Sequence, residues 1–315
     1  MENTEKTEFD LIVIGAGPAG LAAAQYSARA NLQTLVLDQG LGGGQAANIF
    51  NLENYPGVFP PVQGFQWIET MKKQAESFGA VIRQALVSSV DKVEERFIVK
   101  TQSGDYTSTA LIVATGAEHR NLGAPGEKEF SGRGVSYCAT CDGPFFRNKD
   151  VVVVGGGDSA CDEAVYLSTL CSHVTVIHRK GQFRAQKAVA QRVLSNPKIS
   201  VRFNSQVTQI MGEKKVSSVE VTDTLTGEKS TLETSAVFIF VGMIPQTSLF
   251  SNLKTDEAGY IVTDEEMATS IPGLYAAGDV RSKSFRQIVT ACSDGAIASH
   301  TAQNYIRLLK NEEYT

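Results

Sequence analysis

Two of the five cysteines stand together as Cys138-Ala139-Thr140-Cys141, followed directly by Asp142, Gly143 and Pro144. Two intervening residues allow the sulfurs to come within bonding distance, and such pairs often have one thiol acidic enough to attack at neutral pH. Zinc is the rival chemistry. A structural zinc site needs four ligands, and neither a second Cys-x-x-Cys nor a paired histidine follows at suitable spacing, so dithiol–disulfide redox leads and no metal is expected. Asp142, beside Cys141, is a candidate proton relay for the opening and closing of the pair, its alternative role being that of a turn residue before Gly-Pro. Cys161, Cys171 and Cys292 read as buried small hydrophobes.

The elements that would position this chemistry are signalled by glycine. The apolar run 11–14 reads as a buried parallel strand, followed by Gly15-Ala16-Gly17-Pro18-Ala19-Gly20 and an alanine-rich helical segment to about Ala30. Gly15 permits the turn, Gly17 lets backbone approach a pyrophosphate, and Gly20 allows the helix to pack on the strand. A second strand, 34–37, ends at Asp38, 23 positions after Gly15, where a carboxylate accepts hydrogen bonds from an adenosine ribose. The pattern recurs: the valines 151–154 run into Gly155-Gly156-Gly157-Asp158-Ser159-Ala160 and a helix to about Leu170. Here the next strand, 174–177, ends in His178-Arg179-Lys180, with Arg184 beyond. Asp38 would repel a 2'-phosphate, whereas Arg179 and Arg184 offer it charge-assisted hydrogen bonds worth about 1.5–3 kcal/mol each. The first turn is therefore expected to hold a nucleotide without that phosphate and the second NADPH. The bland alternatives are tight turns and a solvated strand end.

Composition excludes several classes. The 315 residues carry 29 basic and 34 acidic side chains, a net charge of −5 that recommends no nucleic-acid or anionic-membrane partner. The apolar run 236–244 is far short of the roughly 18 residues a bilayer span needs, and residues 1–8 are polar, so a cytoplasmic protein is expected. The spacing of Phe65, Ile68, Met71, Ala75 and Phe78 predicts one core-facing stripe of a helix over 64–78.

In combination these residues are specific: 15–20, Gly43-Gly44-Gln45, Glu53-Asn54-Tyr55-Pro56-Gly57, Ala114-Thr115-Gly116, 138–143, 155–160, 178–184, Ala277-Gly278-Asp279 and Arg286-Gln287. Over essentially its whole length the chain resembles the bacterial low-molecular-weight thioredoxin reductases. The resemblance implies that the first nucleotide is FAD, held by Gly15, Gly17, Pro18, Ala19 and Gly20, by Asp38, Gln39, Gly43, Gly44 and Gln45, by Asn54, and by Thr115 and Gly116. Gly278 would also belong to the FAD site, Asp279 would lie on the ribityl chain, and Arg286, Gln287 and Ile288 near the flavin ring. NADPH would fall to Gly155, Gly157, Asp158, Ser159, His178, Arg179, Lys180 and Arg184. The cysteine matching Cys141 faces the flavin in that family, and the one matching Cys138 attacks thioredoxin.

The same resemblance implies a homodimer and, with no thioredoxin-like extension attached, a separate thioredoxin or thioredoxin-like partner. Lys180 departs from the family's second arginine, keeping the charge but losing a fork of donors. Asp158-Ser159 replaces the Asn-Thr of some members.

The expected fold class is α/β, with two Rossmann-like, doubly wound, three-layer nucleotide-binding domains, the second inserted into the first. The FAD domain is placed at 1–118 and 248–315 and the NADPH domain, carrying the cysteine pair, at 119–247. Because nicotinamide and dithiol share the inserted domain, it is expected to swing so that each reaches the flavin in turn. Two other readings stand beside this one: a flavoprotein that reduces a different disulfide partner, and a redox-sensing flavoprotein without turnover.

Overall fold

A computed structural model describes residues 7–49, 52 and 54–310. The chain forms two compact units, one running through Glu118 and resuming at Ile244, the other His119–Met243. The first begins with β1 (Glu8–Ile14), α1 (Pro18–Arg29), β2 (Thr34–Asp38), α2 (Gly64–Ser77) and β3 (Val81–Gln84). The strands β4 (Val87–Val93), β5 (Arg96–Thr101) and β6 (Gly104–Val113) follow. Strands β1, β2 and β3 are parallel and β6 joins β1 in parallel, while β4 and β5 extend the far edge of β6 antiparallel. The central strands are apolar on both faces because both are covered, the condition under which a parallel sheet is stable.

The chain crosses through β7 (Ala117–His119) into the second unit. There β8 (Val135–Ser136), α3 (Ala139–Asp142), β9 (Asp150–Gly155), α4 (Asp158–Leu170), β10 (His173–Ile177), α5 (Lys187–Leu194) and β11 (Ile199–Arg202) lead to an antiparallel meander. The meander is β12 (Ser205–Gly212), β13 (Val216–Asp223) and β14 (Lys229–Glu233), and β15 (Ala236–Phe240) returns to the parallel sheet, whose order is β11-β10-β9-β15-β8. One face of that sheet packs on α4 and α5 through Val151, Val153, Leu167 and Val193; the other packs on the meander through Val152, Val154, Ile210 and Val219. This gives the three layers. The return crossing, β16 (Met243–Pro245), leads to β17 (Leu274–Ala276), which pairs with β6, and to the long α6 (Ile288–Lys310), which packs on α1.

The stripe expected on α2 is narrower than its sequence suggested. Gly64, Ile68 and Ala75 are buried and Met71 half-buried, but Phe65 and Phe78 are 55% and 42% exposed. At about 100° per residue, Phe65 falls roughly 80° from the Gly64–Ile68–Ala75 line, while Phe78 is the residue that ends the helix. Among the described residues no helix is long and apolar enough to cross a membrane.

Candidate functional sites

In the first unit, β1 delivers the chain into its glycine turn at Gly15, whose φ of 104° is costly for a residue with a side chain. The Gly15 N–H donates to the Leu37 carbonyl at 2.8 Å. Asp38, at the end of β2, receives the Ala16 N–H on Oδ2 at 2.7 Å and the Gly40 N–H on Oδ1 at 2.8 Å. Pro18 occupies the first turn of α1, where its missing N–H costs nothing. A second glycine loop closes over the first: the Gly43 N–H donates to the Ala16 carbonyl at 2.7 Å, and a Cβ on Gly44 would lie 3.6 Å from the Gly17 Cα. Gly17 faces open space, whereas Gly20 packs directly beneath the Gly15 carbonyl. Bare backbone from two loops thus surrounds the start of a twelve-residue helix, the arrangement that receives a pyrophosphate.

The C-terminal segment docks on the same turn. Gly278 sits so close to Ala19 that a Cβ would approach the Ala19 methyl to 2.7 Å. Asn54 Nδ2 donates to Gln287 Oε1 at 3.2 Å, joining two predicted site residues that lie 233 positions apart, and Thr115 Oγ1 donates to the Gln246 carbonyl at 2.6 Å. Gln39 accepts from Gln84 Nε2 through its carbonyl, Gln45 lies in the 3-10 turn Gly44–Asn48, and Ile288 opens α6 against the helical core. Gly116 takes a φ of 67°. The Arg286 guanidinium stacks on the Tyr260 ring at 3.9 Å. Among the described residues the buried Asp279 Oδ1 and Arg286 Nε have no hydrogen-bond partner. Buried polar atoms without partners are uncommon. An acceptor and a donor left so beside a double glycine cradle fit FAD, which offers a pyrophosphate, a polyhydroxyl chain and a polar ring edge. Glu53, part of the motif around Asn54, lies outside the described residues.

The second unit repeats the cradle with different supports. Gly155 has φ 152°, Gly157 caps α4 and faces open space, and Asp158 and Ser159 open that helix. The Asp158 carboxylate accepts the Gln186 N–H at 2.7 Å, and the Arg184 N–H donates to the Gly156 carbonyl at 2.7 Å, tying the basic loop to the turn. Arg179, Lys180 and Arg184 are exposed. His178 is 5% exposed, its ring packed against Gly156 and stacked on Phe183. Burial, and then the neighbouring Arg184, Arg179 and Lys180, pull its pKa below the usual imidazole value, so the ring is a neutral wall beside three cations. Open backbone at a helix start with exposed guanidinium groups at the ribose offset fits NADPH.

On the same unit, Cys138 and Cys141 form a disulfide with sulfurs 2.03 Å and Cα atoms 5.3 Å apart. Cys138 caps α3, and the Cys141 N–H donates to Cys138 Sγ at 3.2 Å. Ser136 Oγ accepts the Cys138 N–H at 3.1 Å and donates to the Cys138 carbonyl at 3.2 Å. Tyr137 is anchored by its hydroxyl, which donates to Glu127 at 2.7 Å; Glu127, 3% exposed, also accepts the Leu122 and Gly123 N–H groups. Asp142 lines a cleft of about 300 Å³ with Ser136, Arg133, Lys215 and Phe145, the last 74% exposed.

Burial pushes the Cys161 and Cys171 thiols up to about 11, so neither competes as a nucleophile at neutral pH. Cys292 differs from its expected place in the core. It is only half-buried and lines a cleft of about 420 Å³ with Tyr55 and Trp67, because α6 presents it at the margin between α1 and α2. Its thiol is also pushed up to about 11 by burial, against the opposing effect of a Tyr55 hydrogen bond.

Ser136, Glu127, Tyr137 and Tyr260 were not singled out from sequence, and neither were Arg281, Lys283 and Asp294. For Asp294 a signal existed: it stands three positions after Ala291 and four before Ala298, both buried, so a carboxylate occupies the apolar stripe of α6.

Two nucleotide cradles and a dithiol pair define a dinucleotide-dependent disulfide oxidoreductase. A model of the pyridine nucleotide-disulphide oxidoreductase family matches residues 9–295, and the chain belongs to that family. More particularly, it is 56% identical to a thioredoxin reductase of Treponema pallidum, over 97% of this chain and 100% of that protein. It is 47% identical to a thioredoxin reductase of Bacillus subtilis, over 98% of each. Among solved structures, the thioredoxin reductase of Lactococcus lactis is similar with a TM-score of 0.87 at 42% identity, over 95% of this chain and 99% of that one.

Proposed function

We propose that the chain is an NADPH-dependent thioredoxin-disulfide reductase that holds FAD in its first unit and NADPH in its second. The observation that carries this reading is the Cys138–Cys141 disulfide on the unit whose glycine turn ends in exposed arginines, paired with a second cradle ending in Asp38. When bound, the two dinucleotides would supply the electron pair that opens a disulfide.

The residues of the chain then have distinct tasks. Gly17 and Gly44 present backbone to the FAD pyrophosphate, Asp38 accepts from its ribose, and Asp279, Arg286 and Gln287 orient the remainder. Arg179, Lys180 and Arg184 bind the 2'-phosphate of NADPH. Two electrons and two protons open the Sγ–Sγ bond of Cys138 and Cys141. The Cys141 N–H that reaches Cys138 Sγ favours the thiolate there, and a thiolate is the attacking species. Cys138 Sγ attacks the disulfide of thioredoxin or a thioredoxin-like protein, forming a mixed disulfide and releasing one partner sulfur. Cys141 Sγ, its proton taken by Asp142, attacks Cys138 Sγ, re-forms the internal disulfide and frees the partner as a dithiol.

Dithiol and nicotinamide site belong to the inserted unit and the flavin site to the other, so the two electron transfers call for two placements of the inserted unit. The protein acts in the cytoplasm as a homodimer, where a reducing environment lets the pair cycle.

Cys138→Ser tests the assignment. Thioredoxin-dependent NADPH oxidation is expected to disappear while NADPH still bleaches the flavin under anaerobic conditions. Retained turnover would remove Cys138 as the attacking thiol.

A further inference from the structure

Between the Gly278-Asp279 turn and α6 lies a cluster of four charged side chains to which the reaction as derived gives only one role, that of Asp279. Asp294 is 6% exposed and accepts three donors: the Gly278 N–H at 3.1 Å, Arg281 Nη1 at 3.0 Å and Lys283 Nζ at 3.0 Å. The side chains of Lys283 and Arg281 are 9% and 13% exposed. Burying an ammonium is unfavourable unless its charge is used. Asp294 alone does not require Lys283, since Arg281 already balances its charge and Gly278 shares its oxygens. The charges balance only when Asp279 is included: two carboxylates against Arg281 and Lys283.

The distances agree with that grouping. Lys283 Nζ lies 3.4 Å from Asp279 Oδ1, close enough to attract the carboxylate but without forming a hydrogen bond to it. Oδ1 is therefore drawn inward by the ammonium and shielded from water, while the Asp279 side chain as a whole is 39% exposed and can meet a donor outside the protein. A lysine so held acts as a lever. Asp294 fixes the ammonium, and the ammonium fixes the carboxylate.

We propose that Lys283 is a positioning residue for the flavin dinucleotide: anchored on Asp294, it holds Asp279 oriented toward the hydroxyl groups of the bound FAD. This rests on the reading of the first unit as the FAD site. A residue that only stabilised the fold would lower the melting temperature of the apoprotein and weaken FAD independently of Asp279. A positioning residue makes its effect through Asp279 and has nothing left to lose once that carboxylate is gone.

The test is a double-mutant cycle on FAD affinity, measured by quenching of FAD fluorescence as the apoprotein is titrated. Lys283→Met and Asp279→Asn are each expected to raise the FAD dissociation constant about ten- to a hundredfold, the range for a charged hydrogen bond. The double variant is expected to fall within about threefold of the weaker-binding single, since residues acting in series are not additive. If Lys283→Met binds FAD as the unchanged protein does, or if the two losses multiply, the inference is overturned. Lys283→Gln takes the place of the methionine variant in the same cycle if the latter is not recovered folded, NADPH binding by the other unit serving as the folding check. Failure of the unchanged apoprotein to take up FAD would instead overturn the flavoprotein reading itself.

Discussion

The two glycine turns start from nearly the same local sequence and end in opposite chemistry, and they differ more in how they are braced than in how they are shaped. In the first unit the residue at the ribose offset is part of the scaffold. Asp38 receives both the Ala16 and the Gly40 N–H, so the carboxylate proposed to exclude a 2'-phosphate also fastens the turn. In the second unit bracing and the proposed recognition are separate. Asp158, the backbone of Arg184 and the buried ring of His178 hold the turn, while the guanidinium and ammonium groups of Arg179, Lys180 and Arg184 project into solvent. Duplicated architecture does not imply duplicated division of labour: one cradle uses the residue proposed to select its nucleotide structurally, the other leaves such residues exposed.

Three experiments would break or sharpen that contrast. The largest effect is expected from Asp38→Ala, which leaves two backbone donors without their acceptor: a loss of about 1–3 kcal/mol in apoprotein stability by denaturant unfolding. A weakening of FAD binding by at least about a hundredfold is expected with it, because ribose contact and turn are lost together. An apoprotein of unchanged stability would mean that Asp38 is not a brace. Next, Arg179→Ala is expected to raise the KM for NADPH about ten- to a hundredfold with little change in kcat, as loss of uniform binding does. Its melting temperature should stay put, and an unaltered NADPH to NADH preference would remove Arg179 from the phosphate site.

The smallest effect concerns His178. Its folded-state pKa is depressed by burial and by the cations beside it, so the unfolded chain binds the proton more readily. The stability this neutral ring contributes is present above the unfolded imidazole value, near 6.5, and is lost as pH falls below it. Glu163, which burial and then Asp162 push up to about 7, works in the opposite sense over the same range. The comparison is therefore between the unchanged protein and His178→Asn, in which Glu163 is common to both. The unchanged protein should lose stability more steeply on acidification, and parallel curves would return His178 to an ordinary core residue.

Much of this was readable in the chain itself because it is local. Strand, glycine turn, helix and second strand fall within about two dozen residues, and the spacing that puts Asp38 or Arg179 at the ribose offset is set by the length of that unit. The cysteine pair is more local still. What stayed illegible depends on partners with no period between them. Glu127 meets Tyr137 through the bend of a loop, and Lys283 reaches Asp294 only because α6 turns that carboxylate inward. Neither has a pattern at which sequence reasoning could stop. Phe65 illustrates the converse failure, since apolar residues at helical spacing announce a face, but only the packed neighbour decides how wide that face is.

The grip of Ser136 on Cys138 carries a consequence of its own. One hydroxyl holds both the amide and the carbonyl of that cysteine, and the Asp142 N–H adds a second tether to the carbonyl at 3.1 Å. The main chain at Cys138 is thus pinned on both sides, like an axle in its bearings. Its sulfur can trade one covalent neighbour for another by swivelling about a single bond, with no backbone rearrangement to slow the handover.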